Sequence, residues 1–398
     1  MPRRFHWRLP LFVSGIFLMS QAYPLPSPVR DAATFAWTSG FHLHLPFWHI
    51  VFTPFCSVAD YLTALSVHQT KFFCAYLIVL FFLMFKPRRA LLAVALFIVY
   101  VAWGALIPRP MGRLTADDPD ILLIDFHSHT QYSHDGRPSF TPEANMDWHR
   151  LQGYNAAFIT DHNLVDAAEI AKADSTKNWK VTGYRSLEGE EVSLSKTHLV
   201  ILGNRYKIDN RPYDTNPRRI EDFVADMRKI NIPVIASLPE YWFYHWQERA
   251  DGGGDIHDFV RWGMAGFEII NSAPKALDFP PAYRVQIVDL CRTHNLFMTG
   301  ISDNHGYGYA TDAWNALRLP GWQSLGPDDL EKAVIHDLKT RGFLAVQVLE
   351  RVKYFPANSF QLALSPFANV WVYWRSLQLA QVLAWIAWIW LFALLKAF

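Results

Sequence analysis

Ile121-Leu122-Leu123-Ile124-Asp125-Phe126-His127-Ser128-His129 is an apolar run that ends in two histidines spaced two apart. The run has the length and composition of a buried strand. Residues two apart on an extended chain point the same way, so His127 and His129 can reach one metal ion. The arrangement returns at Phe297-Met298-Thr299-Gly300-Ile301, which is followed by Ser302-Asp303-Asn304-His305. Strand ends of this kind are where α/β proteins gather their functional loops.

Between the two lie Ser133-His134-Asp135-Gly136, Thr160-Asp161-His162-Asn163, Gly189-Glu190-Glu191-Val192 and His198. Imidazole and carboxylate donors without thiolates suit Zn, Mn or Fe, and the mixture suits a multinuclear centre bridged by a carboxylate. Such centres favour hydrolysis, because they polarise a phosphoryl oxygen and activate water near neutral pH. The three cysteines, Cys56, Cys74 and Cys291, are too few and too scattered for a disulfide framework or a thiolate zinc site.

Further short apolar runs, AAFIT, HLVILG, PVIAS, GFEII and FLAVQVL, alternate with longer polar or amphipathic stretches between residues 117 and 352. They imply repeated βα units and a mostly parallel sheet or barrel.

The ordered set DFHSHT, SHDG, TDHN, GEEVS, HLVILG, GFEIIN and GISDNHG resembles that of the PHP family, the polymerase and histidinol phosphatase superfamily of metal-dependent phosphoesterases. The resemblance covers about residues 121–348 and implies an α/β fold, a distorted (βα)7 barrel with two or three divalent metals at its C-terminal face. Carried over residue by residue, it implies that His127, His129, Glu191 and Asp303 hold one metal and that Glu191 bridges to a second, served by His198. Asp135, His162 and His305 would hold the third. Glu188 and Glu190 compete with Glu191 for the bridging role on spacing alone. The chain departs from the pattern at Leu238, where the family shows a histidine before proline and leucine cannot ligate; His245 is the candidate substitute. His198 and His305 are candidate proton donors to the leaving group. His134 is a candidate proton carrier, with a solvated loop histidine as the alternative.

Arg137, Lys196, Arg205 and Lys275 lie near motif positions and can complement phosphate charge, Arg137 and Lys275 being preferred. The aromatic stretch 241–246 and the glycines at 252–254 have the makings of a lid, or of a loop packed on the barrel. Ser193-x-x-Lys196 matches a serine-nucleophile spacing but lacks its companion motifs. No zinc-protease helix or phosphate-binding loop motif is present.

The chain has 398 residues, 51% of them hydrophobic and 18% charged, against about 25% charged in an ordinary soluble domain. Residues 90–107 carry no charge and would span about 27 Å as a helix. Residues 72–85 are long enough only by borrowing back to about His68, and 377–395 read as a C-terminal transmembrane helix. Residues 1–22 fit a secretory signal or a first helix. Residues 41–66 are interrupted by His42, His44, Pro46, His49, Pro54 and Asp60, which suits an interfacial or re-entrant segment, with a full span as the competing reading. The expected organisation is a membrane region of about three hydrophobic segments (1–116), the barrel (117–352), a linker (353–376) and a terminal helix (377–398).

Lys86-Pro87-Arg88-Arg89 and the basic residues near the N-terminus belong in the cytoplasm by the positive-inside rule, which places the barrel in the periplasm or at the cell surface. With 37 Lys and Arg against 36 Asp and Glu, no basic field argues for nucleic acid. The expected activity is hydrolysis of a phosphate mono- or diester by a membrane-anchored enzyme, a lipid headgroup or other envelope phosphate being among the candidate substrates. The alternative is a non-catalytic module that binds metal or a phosphorylated ligand and assembles with partners. Amidohydrolase-like chemistry ranks third, since no lysine stands out as its carbamylated ligand.

Overall fold

The computed structural model describes residues 7–194, 197–214, 216, 218–238, 255–273, 276 and 280–395. The strands are β1 (Val29–Asp31), β2 (Phe41–His44), β3 (Arg113–Ala116), β4 (Ile121–Asp125), β5 (Ala156–Ile159), β6 (Arg185–Leu194), β7 (Thr197–Leu202), β8 (Val234–Ala236), β9 (Gly266–Asn271), β10 (Phe297–Ile301), β11 (Ala313–Arg318) and β12 (Gln347–Arg351). The helices are α1 (Arg8–Met19), α2 (Phe47–Val51), α3 (Thr53–Thr63), α4 (Val67–Met84), α5 (Pro87–Leu106), α6 (Pro142–Gln152), α7 (Asp166–Thr182), α8 (Arg211–Asp214), α9 (Arg219–Lys229), α10 (Ile256–Trp262), α11 (Pro281–His294), α12 (Pro327–Arg341), α13 (Ser359–Ser376) and α14 (Leu379–Leu395).

Ten strands form one curled α/β sheet in the order β1-β12-β11-β4-β5-β6-β7-β8-β9-β10. Asn315 on β11 draws the far edge back: its amide nitrogen donates to Ile124 O on β4 at 2.9 Å and to Gly300 O on β10 at 2.6 Å. Beyond the strand ends the closure continues, with Asp303 N donating to His127 O at 3.0 Å and His129 N to Asn304 O at 2.9 Å. The two histidine-bearing ends are thereby stitched side by side. The core between sheet and helices is apolar, with Phe126, Phe158, Phe223, Phe259 and Phe267 fully enclosed.

The sheet is mixed rather than mostly parallel. Four neighbouring pairs are parallel (β4/β5, β5/β6, β8/β9, β9/β10) and five are antiparallel. For β6 and β7 the reason is connection length. β6 ends at Leu194 and β7 begins at Thr197, whereas a parallel return needs about a dozen residues.

The N-terminal part is interlocked with the sheet. β1 pairs antiparallel with β12, so the boundary expected at residue 116 is crossed by strand pairing, while β2 pairs with β3 on the N-terminal side of it. Residues 353–376, expected to be a linker, contain the 18-residue helix α13. Among the described residues two helices, α4 and α5, are long and apolar enough to cross a membrane; α13 and α14 pass that test only together and meet at a bend of 110°. α4 starts at Val67 behind a capping box in which Ser66 accepts from Gln69 N, so the span borrows back past His68 as expected. α1, at 12 residues, is about 18 Å long, short of a bilayer core. It packs on α14, with Phe17 stacked on Trp385 at 5.0 Å. Residues 41–66 break into β2, α2 and α3.

Candidate metal centre

The centre sits where β4, β5 and β10 end, beside Glu191 on β6, and His127, His129 and His305 are each oriented by a neighbour. His127 Nδ1 lies 2.8 Å from Glu268 Oε1 on β9. A carboxylate only accepts, so the proton is on Nδ1 and the Nε2 lone pair faces inward. Ser133 Oγ gives its single proton to Asp161 at 2.6 Å and therefore accepts from His129 Nδ1 at 2.9 Å, which again turns Nε2 inward. His305 Nδ1 donates to the Asp303 carbonyl at 2.8 Å. Asp303 adopts φ +47°, a conformation tolerated by aspartate more than by most side chains.

These constraints leave electron-rich atoms facing one another. His127 Nε2 and His129 Nε2 are 3.0 Å apart. Glu191 Oε2 lies 3.2 Å from the former and 3.3 Å from the latter, and Asp303 Oδ1 lies 3.2 Å from His129 Nε2. Ligand atoms 2.0–2.1 Å from a tetrahedral ion stand about 3.3 Å from one another. Both oxygens of buried Glu191 lack a hydrogen bond of acceptable geometry, although His162 Nδ1 is 2.9 Å from Oε2 and His198 Nδ1 is 2.8 Å from Oε1. Atoms this close yet not aimed at each other are aimed at a common point. The residues fit divalent cations.

Charge at the site tells the same story. Burial disfavours a charged His127, but Glu191 and Glu268 overcome it and raise its pKa well above the ordinary value. Burial likewise opposes charge on His162, and Asp135 and Glu191 nevertheless push its pKa up to about 10. Against the burial penalty, His127 and His198 hold the Glu191 carboxyl well below the usual range. His129, buried beside His305, shifts well below its ordinary value. The carboxylates thus draw protons onto His127 and His162, and a divalent ion would have to displace them.

A second group forms around Asp135, whose Oδ1 is 3.2 Å from His305 Nε2 and 3.4 Å from His162 Nε2. His134 joins it, since His134, Asp135 and His162 can present ligand atoms within 4.8 Å of one another. The turn that holds Asp135 depends on Gly136, where a Cβ would meet Thr130 O at 1.9 Å.

The three candidate glutamates are separated by strand alternation. Glu188 accepts from Lys172 Nζ at 2.7 Å and Glu190 from Asn204 and Ile208, while Glu191 alone faces the histidines. Leu238 is buried, and its backbone N–H donates to Glu268 Oε2 at 2.7 Å. Arg137 donates to Leu106 O at the end of α5 and to Gly306 O, and Arg205 lies 3.9 Å from Asp328. Lys196, Lys275, His245 and the lid stretch 241–254 lie outside the described residues. Sequence reading missed Glu268, Asp161 and Ser133 as orienting groups. A glutamate inside the otherwise apolar GFEIIN run was the available signal.

No family model matches the chain, and no curated protein does. Among solved structures it is similar to a two-domain protein from Bacteroides vulgatus containing a predicted PHP-like metal-dependent phosphoesterase (18% identity, 63% of this chain and 70% of that one, TM-score 0.39). It is also similar to a protein from Bifidobacterium adolescentis described as a metal-dependent phosphoesterase (16%, 55% and 96%, 0.34) and to an amidohydrolase from Chromobacterium violaceum with bound sulfate (17%, 50% and 92%, 0.34).

Proposed function

We propose that this protein is a membrane-embedded phosphoesterase of PHP type, with a distorted barrel, that depends on two or three divalent metal ions. The facing of His127 Nε2, His129 Nε2, Glu191 Oε2 and Asp303 Oδ1 in a buried pocket is the observation that supports it. Those four residues would hold one ion; Asp135, His162 and His305 would hold another, and Glu191 with His198 a further one. Divalent ions in such a set supply Lewis acidity toward a phosphoryl oxygen and a nucleophile at neutral pH.

The chain's own groups do the rest. Glu268 and the Ser133–Asp161 pair fix the tautomers of His127 and His129, which keeps their lone pairs on the reacting side. His198, at 24% the most exposed imidazole among the predicted ligands, or His305 would give a proton to a leaving oxygen where it is not fully ligated to metal. Lys86, Arg88 and Arg89 are exposed at the tip of the α4–α5 hairpin, and its other end meets the barrel through Val67 N to Ala276 O and Gly308 N to Ala105 O. The positive-inside rule then puts the barrel outside the cytoplasm.

The test is hydrolysis of a chromogenic phosphodiester and its monoester by the full chain in nanodiscs, loaded with Mn or Zn, beside Asp303→Ala. Metal-dependent turnover lost in the variant is expected. A folded, metal-loaded protein that hydrolyses neither ester would overturn the reading in favour of a ligand-binding module, which Leu238 at a ligand position favours.

A further inference from the structure

One cavity of about 570 Å³ has a lining that joins the metal centre to the membrane helices. Its polar part includes Asp135, Asp303 and His305, all predicted ligands. Its apolar part includes Leu62 from α3, Cys74 from α4, and Phe97 and Val101 from α5. The volume lies within the range of roughly 300–1,000 Å³ typical of small-molecule sites. A site serving only a free, hydrophilic phosphate has no use for such walls.

The walls belong to elements that require lipid around them. Of the 18 residues of α4 only Gln69 is buried, and of the 20 of α5 only Ala90 and Gly104. Their apolar surface has to be covered by hydrocarbon, so the helices that border the metal residues are those a bilayer would touch. Lys71, exposed on the second turn of α4, is the only lysine or arginine among the described lining residues. It has no salt bridge among the described residues, and it supplies the charge that a phosphate passing from the interface toward Asp303 needs.

We infer that the substrate is an amphiphilic phosphoester of the surrounding bilayer, whose hydrocarbon tail lies in the α3–α4–α5 groove while its phosphate meets the metal residues. This rests on the phosphoesterase reading and adds the substrate class to it. The groove recognises the tail and the metal centre the phosphate, so a tail-less phosphoester occupies only half of the site.

The experiment compares kcat/KM for methyl and octyl 4-nitrophenyl phosphate, each below its aggregation concentration, with the full metal-loaded chain in nanodiscs. Val101→Trp and Cys74→Trp, on different helices, fill the groove, and the methyl ester reports whether each variant keeps its fold and chemistry. A fully buried methylene favours binding from water by about fourfold, so wild type should prefer the octyl ester by about a hundredfold or more. Both variants should lose most of that preference and keep methyl-ester turnover within about twofold. Equal rates on the two esters, or a preference that survives both variants, would overturn the inference and leave the phosphoesterase reading intact. Turnover of neither ester by wild type would overturn both.

Discussion

Asp60 and Arg109 form a buried, two-pronged ion pair, with Asp60 Oδ1 2.8 Å from Arg109 Nη2 and 3.1 Å from Nε. His49 Nε2 sits 3.0 Å from the other carboxylate oxygen. The same guanidinium donates to Gly104 O at the end of α5 and to Gly308 O, three residues beyond His305. One side chain thus ties a candidate span, α3 and the loop after a predicted metal ligand. Removing one member of a buried pair leaves an uncompensated charge, at a cost of about 3–5 kcal/mol. Asp60→Ala should lower thermal stability in detergent by that order, while the double change of Asp60 and Arg109 to Leu and Met should cost less. A loss below about 1 kcal/mol in the single variant would contradict the pair's structural role.

Glu268 touches the centre only through His127 and the Leu238 backbone. Loss of such an orienting carboxylate typically weakens metal affinity or activity by 10–100-fold. Glu268→Gln should therefore reduce metal affinity by about that factor, as read by competition with a fluorescent chelator, with the fold retained. Unchanged affinity would show that His127 needs no such partner.

The histidine-bearing strand ends were legible because period-two spacing is local: it paired His127 with His129 and Asp303 with His305, the resemblance added His162 and Glu191, and the structure brings all six together. The choice among Glu188, Glu190 and Glu191 was not, since alternation shows which residues share a face but not which face is inside. β1 was invisible: Val29–Asp31 has no distinctive pattern and pairs with β12, more than 300 residues away. His49 and Asp60 read as polar interruptions of an apolar segment because their partner Arg109 is supplied only by the fold. The antiparallel β6–β7 pair was missed for the opposite reason, a short gap passed over in favour of apolar composition.

Glu190 faces away from the histidines, buried, and burial raises its pKa from the ordinary 4.5 to about 7 despite hydrogen bonds from Ile208 N and Asn204. A folded-state pKa above the unfolded one means the native state holds the proton more tightly. Its contribution to stability is therefore complete below about pH 4.5 and lost as pH rises through about 7. At 1.36 kcal/mol per unit the loss is roughly 3 kcal/mol. Glu190→Gln should match wild type near pH 4.5 and exceed it by up to that amount at pH 8. A gain of equal size at both pH values would show that ionisation is not the cause.

Leu238 combines two anomalies at one position: it stands where the resemblance places a metal-binding histidine, and it holds φ +59°. The left-handed region is costly for leucine and less so for histidine, which is enriched there. Its backbone N–H is fixed on Glu268, which also orients His127, and the preceding Ser237 N–H bonds the carbonyl of His198. Leu238→His therefore adds an imidazole next to Glu268, on the strand end paired with His198, without asking the backbone to change. The variant should bind one more equivalent of Zn or Mn per chain, or bind its weakest equivalent about tenfold or more tightly, with thermal stability in the apo form within about 1 kcal/mol of wild type. Metal counting by elemental analysis after dialysis, together with a melting curve, decides it: unchanged stoichiometry and affinity would mean that the site around His198 is completed by other residues or is not used.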